Sequence, residues 1–178
     1  MLAAAAALCS CTAVPRPTPA VEVGAQDAGF DGSAVRTDLE SSARMRFGEA
    51  LVTRALAAET HLFAKHYFGL APPPVRQPDG SFKDPEPPTA MLIREDGRWM
   101  AAAVGGLRAV ADDKAAAIDA AIADPAFWNE PVSARATCTD AGASLLLLRT
   151  PKRQALVRKG TCGATQRTER LIFAALNA

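Results

Sequence analysis

Two histidines, His61 and His66, are the only imidazole groups of the chain, and imidazole is the side chain best suited to proton transfer and metal binding near neutral pH. The surrounding pattern predicts one helix, on which a separation of five residues turns the two rings about 140° apart. A helical metal pair needs a spacing of three or four residues. The nearest acids, Glu49 and Glu59, complete no recognisable triad. We therefore expect surface or capping roles for both rings, no metal site and no cofactor.

Two cysteines in the second half of the chain have a spacing that suits a disulfide. Cys138 ends the first of three predicted strands, "SARATC", "SLLLLR" and "QALVRKG", which form a meander. If Arg149 pairs with Gln154 across the second turn, Cys162 falls opposite Ala141 and close to Cys138. The sequence predicts a Cys138–Cys162 disulfide. The alternatives are two buried thiols or a metal site, although the chain has no CxxC pair to supply zinc ligands.

Positive charge is concentrated in the same part of the chain. Eight arginines and lysines follow residue 130, against two acids, whereas the whole chain has a net charge of only +1. Five of them form a candidate patch for an anionic ligand: Arg149, Lys152, Arg153, Arg158 and Lys159. The alternative is a well-solvated sheet edge, because charged side chains discourage association between sheets. We exclude nucleic acid as a partner, because no aromatic residues alternate with these cations.

The elements that must position these groups follow from hydrophobic periodicity. We predict a helix from Leu39 to Phe68, capped by Ser41 or Ser42. "TAMLIREDGRWMAAAV" predicts a hairpin that turns at Asp96-Gly97. "ADDKAAAIDAAIADPAFW" predicts a second helix that stops before Pro125, followed by a short turn of helix. The three-strand meander and a last helix, "TQRTERLIFAALNA", complete the chain.

The predicted fold class is therefore α+β, with the order α-ββ-α-βββ-α. A small, mostly antiparallel sheet, built from two hairpin or meander units, packs with about three helices. We expect a single domain over residues 38–178, with a proline-rich loop at 71–88 that holds seven of the thirteen prolines. Residues 11–37 are rich in Pro, Gly and Ala, which predicts a solvated tether.

The first eleven residues, "MLAAAAALCSC", are typical of an address rather than of a fold. Leu8-Cys9-Ser10-Cys11 resembles the lipobox of bacterial lipoprotein signals, which places Leu three residues and a small residue one residue before the lipidated cysteine. The resemblance implies lipid on Cys11, because choosing Cys9 would put Leu8 directly before the cleavage point. Residues 1–10 would then be a truncated lipoprotein-type signal segment. The alternative is an alanine-rich first helix with two buried cysteines.

The resemblance implies a bacterial cell-envelope protein that is anchored to a membrane and faces the periplasm. Thr12, rather than Asp, follows Cys11, which favours the outer membrane. The sequence contains no G-x-S-x-G, S-x-x-K or HExxH motif. We therefore expect a non-catalytic binding or structural module for an envelope protein or an anionic envelope polymer. The alternative is an envelope hydrolase with an unrecognised site.

Overall fold

The computed structural model describes residues 30–70, 72–131, 133–134, 142–161 and 167–178. Its main sheet has seven strands in the order β6-β5-β4-β1-β8-β9-β7, and β2 and β3 form a separate pair. The strands are β1 (His61–Tyr67), β2 (Val75–Arg76), β3 (Phe82–Lys83), β4 (Thr89–Glu95), β5 (Arg98–Ala103), β6 (Gly106–Ala109), β7 (Ser133–Ala134), β8 (Gly142–Arg149) and β9 (Gln154–Thr161). The helices are α1 (Gly32–Phe47), α2 (Glu49–Ala57), α3 (Asp112–Ala123), α4 (Pro125–Trp128) and α5 (Arg167–Leu176).

Helices cover both faces of the sheet. The α1 face is covered by α1 and α2, and the α5 face by α3, α4 and α5. Because side chains alternate along a strand, Phe63 and Leu147 enter the core of the α1 face, whereas Leu62 and Leu146 enter the core of the α5 face. None of the helices in the described part of the chain is long and apolar enough to cross a membrane.

The predicted α+β class is confirmed, and so are several local elements. The β4–β5 hairpin turns at Asp96-Gly97, where both residues have the positive φ that a type I′ turn requires. The β8–β9 hairpin pairs Arg149 with Gln154, as predicted. Helix α3 ends before Pro125, which opens the short helix α4.

The predicted helix from Leu39 to Phe68 is wrong at both ends. Helix α1 begins at Gly32 after an Asp31 cap, so the tether cannot extend to residue 37; the first buried residue of α1 is Val35. The segment after α2 is β1, which pairs with β4 on one side and β8 on the other. Its first five residues are buried because the strand has helices over both faces, and a strand of this kind lacks the alternation that distinguishes it from a helix.

The predicted order of strands is also wrong in the second half. Instead of the first strand of a meander, β7 is a two-residue strand that pairs in parallel with β9, with Ser133 opposite Arg158. Gly105 and Gly106, both at positive φ, turn the chain into β6, an edge strand that the predicted order lacks.

The proline-rich segment has structure of its own. We call residues 72–88 the arm. Within it, β2 and β3 form a short hairpin that pairs with no strand of the main sheet, and the four residues of this hairpin are exposed. The arm leaves the sheet after the Tyr67 end of β1 and returns where the amide of His66 donates a hydrogen bond to the carbonyl of Pro88.

Candidate functional site

A buried lysine, Lys65, lies at the centre of a polar cluster on the α1 face. Its Nζ donates hydrogen bonds to Asp38 Oδ1 at 2.7 Å, to Ser42 Oγ at 2.7 Å and to Tyr67 Oη at 2.6 Å. Tyr67 Oη in turn donates to Asp38 Oδ2 at 2.5 Å. The ammonium also lies 4.2 Å from the centre of the Tyr67 ring. The cluster therefore ties α1 to the end of β1 and satisfies all three protons of the ammonium group.

The electrostatics of this cluster favour its charged form. Burial opposes the charge on Lys65, but the hydrogen bonds and charge of Asp38 outweigh it, and the pKa of Lys65 is raised. Burial likewise raises the pKa of Asp38, but the bonds from Lys65 and Tyr67 leave it below its usual value. Burial and the bond to Asp38 raise the pKa of Tyr67. A lysine that activated Ser42 as a general base would have to be neutral, whereas Lys65 and Asp38 are held in their charged forms. The cluster is therefore a structural ion pair.

On the opposite face of β1, His66 contacts a serine. His66 and Ser144 are paired in the β1–β8 register, and Nδ1 lies 3.0 Å from Ser144 Oγ. Phe68 and Phe173 flank the imidazole, with ring centres 6.0 and 5.3 Å away. Burial lowers the pKa of His66, and the charge of Glu169 opposes this shift. Ser144 is completely buried, with an exposed fraction of 0%, so no substrate reaches its hydroxyl in this conformation.

The other histidine, His61, is buried at the opposite end of β1. Its Nδ1–H donates a hydrogen bond to the carbonyl oxygen of Ala58 at 3.1 Å. Burial lowers the pKa of His61, and the nearby charges of Arg149 and Arg36 lower it further. The two histidines do not share a site, as predicted, but the reason is a strand rather than a helix. They lie five residues apart in β1 and therefore face opposite sides of the sheet.

Metal ligands do not converge in the described residues, where no group of three or more His, Cys, Asp or Glu side chains could hold an ion. The cysteines that carry the predicted lipid and disulfide, Cys11, Cys138 and Cys162, lie outside the described residues. The neighbouring β8–β9 register is described up to the pair Gly142 and Thr161.

The predicted basic patch does not form one surface. Arg158 and Lys159 are adjacent on β9 and therefore face opposite sides of the sheet. Lys159 is buried, and its Nζ donates a hydrogen bond to the carbonyl of Pro131. Lys159 is thus a structural residue and does not belong to a ligand surface.

The remaining cations of the patch are also dispersed. Lys152 and Arg153 are exposed in the β8–β9 turn, where the Arg153 guanidinium lies 5.4 Å from the centre of the Trp128 ring. Arg149 and Arg158 face α1 but are four positions apart in the hairpin register, since Arg158 pairs with Leu145. Only the β8–β9 turn and its flanking Arg149 remain as a local concentration of charge.

Sequence reasoning missed Lys65 because the segment was assigned to a helix. The available signal was a single lysine in the run "HLFAKHY", because a lysine that is buried in a strand needs a charged partner from elsewhere in the fold. That partner, Asp38, lay in the segment just before the predicted helix, so the pairing depended on the true start of α1.

Comparisons with known proteins identify no relative: no family model, no curated protein and no solved structure matches the chain.

Proposed function

We propose that the chain is a lipid-anchored bacterial cell-envelope protein whose folded domain is a non-catalytic module that binds an envelope protein through the arm. The observation that carries this proposal is the exposure of large apolar side chains at the arm. Leu70, just before it, is 72% exposed, and Val75 and Phe82 within it are 56% and 70% exposed. Large apolar side chains exposed along one short segment favour an interaction site, because such exposure is costly unless a partner covers it.

The geometry of the arm favours a cleft in a partner protein over a flat membrane surface. In the β2–β3 pair, Phe82 lies opposite Arg76 and Val75 opposite Lys83, so Val75 and Phe82 project from opposite faces of the hairpin. A bilayer surface would contact only one of these faces. An apolar cleft that encloses the hairpin would contact both.

The polar groups of the arm are largely satisfied within the protein. Lys83 forms an ion pair with Glu86 at 2.6 Å, and Asp79 accepts two hydrogen bonds from Ser81. The charge of Arg46, at the end of α1, also acts on Glu86. The apolar side chains are therefore what the arm offers to a partner. Its prolines restrict the free chain and so reduce the entropy lost on binding.

Binding by the arm is tested with the full chain and a partner that is first identified by mass spectrometry and then purified. We expect Phe82→Ser to weaken binding by at least about tenfold, because interface energy concentrates in a few large anchors. Val104→Ser is the matched control, since Val104 is 97% exposed in the β5–β6 turn, outside the arm. Equal binding by both variants, or self-association as the only interaction, would contradict the proposal.

The anchor is proposed on Cys11, with the outer membrane as its location, and residues 12–29 as the connection to the domain. Intact-mass measurement of the chain produced in a bacterium should show acyl groups on a polypeptide that begins at Cys11. Cys11→Ser should abolish both the acylation and the retention in the membrane fraction. An unprocessed Met1 on a cytosolic protein would contradict this part of the proposal.

The proposed Cys138–Cys162 disulfide belongs to the same compartment, because oxidising envelopes allow disulfides to persist. Its support is the β8–β9 register, which ends at Gly142 and Thr161, next to the segments that hold the two cysteines. Peptide mapping without reduction should recover the two cysteines in one linked pair. Two free thiols in protein isolated from the envelope would contradict it.

The second candidate function is an envelope hydrolase, and the contact between His66 and Ser144 is the observation that favours it. A nucleophile needs a base within hydrogen-bond reach, and this pair satisfies that requirement. The complete burial of Ser144 weighs against it, because attack would require Phe173 or His66 to move. A serine-reactive fluorophosphonate that labels the wild-type chain but not Ser144→Ala would establish the hydrolase. No labelling of either protein is the result that our proposal predicts.

A further inference from the structure

Arg149 is a half-buried cation to which the described residues supply no counter-ion. It ends β8 on the α1 face, opposite His61 on β1 and Gln154 on β9. Among the described residues, none offers Arg149 a carboxylate oxygen within 4.0 Å or a side-chain hydrogen bond. A guanidinium removed from part of its water without a partner is energetically unfavourable, and a bound anion would relieve that cost.

A second cation, Arg36, acts on the same place from α1. Its nearest acid is Glu40, at 3.8 Å, which is too long for a hydrogen bond. Glu40 instead accepts two hydrogen bonds from Arg44, at 3.2 and 3.3 Å. Arg36 is therefore only partly compensated, and its side chain keeps 40% of its exposure.

His61 connects the two cations. His61 and Arg149 are paired across β1 and β8, and α1, which carries Arg36, packs over both strands. The charges of both arginines also act on the imidazole. Because Nδ1 donates to the carbonyl of Ala58, Nε2 is the nitrogen left to serve a ligand. His61 is only 2% exposed, and that exposure includes Nε2, since no fully buried side-chain nitrogen of the described residues lacks a hydrogen-bond partner. Guanidinium groups have the fork geometry that binds a phosphate group through paired hydrogen bonds.

We propose that Arg149, Arg36 and His61 form a binding site for a phosphate group, at the end of β1 opposite the arm. The group is either free phosphate or the phosphate of a lipid headgroup, which present the same anionic oxygens. A phosphate suits the site better than a carboxylate, because its additional charge matches two guanidinium groups and an imidazolium. The site is separate from the arm, so it stands or fails independently of the function proposed for the arm.

Binding at this site takes up a proton. Burial keeps His61 neutral by lowering its pKa, and an anion on Nε2 favours the imidazolium that donates to it. The charged groups facing His61 are Arg149 from β8 and Arg36 and Glu40 from α1. On β4, the residue opposite His61 is Ile93, which is uncharged. The nearest charged residue on the same face of β4 is Glu95, which forms an ion pair with Arg54 of α2 at 2.7 Å. The pKa of His61, followed by NMR, should therefore be higher with saturating phosphate than without it.

The site is tested by titrating inorganic phosphate into the full chain carrying Cys11→Ser, at constant ionic strength, while following the His61 ring by NMR. We expect Arg149→Gln and Arg36→Gln each to weaken binding by at least about tenfold, the effect of one charge-assisted contact. Arg158→Gln is the matched control, because it removes the same charge from the α1 face at a distant register position. Its affinity should stay within about twofold of the wild type, because salt screens exposed charges at that distance.

The outcomes are distinct. Equal weakening by Arg158→Gln would show diffuse attraction rather than a site and would overturn the proposal. A His61 pKa that is the same with and without saturating phosphate would overturn the role of His61. Flotation with phosphatidylcholine vesicles, with and without phosphatidylglycerol, separates the two sources. Flotation that requires Arg149 assigns the lipid headgroup, and phosphate binding without flotation assigns free phosphate. Binding to neither would overturn the proposal.

Discussion

Lys65 and Arg149 are cations on the same face of the same sheet, but the protein treats them in opposite ways. Lys65 is 7% exposed and has three hydrogen-bond partners at 2.6–2.7 Å. Arg149 is half-buried, and the described residues provide it with no such partner. A buried charge that is fully paired holds elements together. A partly buried charge that is left unpaired is available to a ligand.

The difference between them depends on where each lies relative to α1. Lys65 lies beneath the side of α1 that carries Asp38 and Ser42, so the helix supplies its partners. Arg149 lies towards the side that carries Arg36, where the helix supplies another positive charge. One helix therefore creates a closed polar cluster at one end of β1 and an open cationic site at the other.

The largest expected effect is on the closed cluster. Asp38→Asn should destabilise the fold by about 2 kcal/mol, because it leaves the buried ammonium without its counter-ion but with two hydroxyl partners. Arg149→Gln should change the free energy of unfolding by less than about 0.5 kcal/mol, because the described residues give its side chain no hydrogen bond or ion pair. Urea unfolding of both variants measures the difference. Similar losses in the two variants would remove the contrast between the clusters.

The pH dependence of stability sharpens the same contrast. The pKa of Asp38 is lowered on folding, so its contribution is fully present above about pH 4, its unfolded value, and is lost as the pH falls through the folded pKa. The pKa of Lys65 is raised, so its contribution is present below about pH 10 and is lost above the folded pKa. The difference in free energy of unfolding between wild type and Asp38→Asn should be constant across this pH range and shrink only at its acid and alkaline limits. A gap that closes near neutral pH would contradict the assignment.

Phosphate should stabilise the folded protein when the site at Arg149 is intact. At ten times its dissociation constant, phosphate should stabilise the wild-type chain by about 1.4 kcal/mol, by mass action. The same concentration should stabilise Arg149→Gln by no more than about 0.4 kcal/mol, because its dissociation constant is at least about tenfold higher, whereas Asp38→Asn should keep the full increase. Thermal unfolding with and without phosphate tests this prediction, and equal stabilisation of all three proteins would refute it.

The smallest expected effect is at the arm. Phe82→Ser should change stability by less than about 0.5 kcal/mol, because Phe82 packs against little of the domain. Val104→Ser should behave in the same way, and urea unfolding compares the two directly. A loss above about 1 kcal/mol for Phe82→Ser alone would show that the arm packs on the domain, which would remove the basis for its proposed role.

The sequence predicted the hairpins, which depend on local signals, better than it predicted the central strand, which depends on distant partners. Asp96-Gly97 and the β8–β9 register depend on neighbouring residues, so the pattern located them correctly. The central strand β1 depends on partners up to 88 residues away, and its burial on both faces removed the alternation that identifies strands. Its aromatic and apolar residues therefore continued a helical pattern that ends at α2.

The candidate sites were predictable only in part, for the same reason. Arg149 was identified from charge alone, but its companions Arg36 and His61 come from α1 and β1, the two elements assigned incorrectly. Lys159 was grouped with Arg158 because adjacency in sequence hides the alternation of a strand, which buries one and exposes the other. Lys65 carried no local signal that it would find Asp38.

The most direct test of the proposed binding function is photo-crosslinking in the living bacterium. A benzophenone amino acid at position 82, in the full chain with its anchor intact, should yield one discrete adduct with an envelope protein. The same group at position 104 should yield none, although that position is more exposed. Identical adducts at both positions, or none at position 82, would contradict the account.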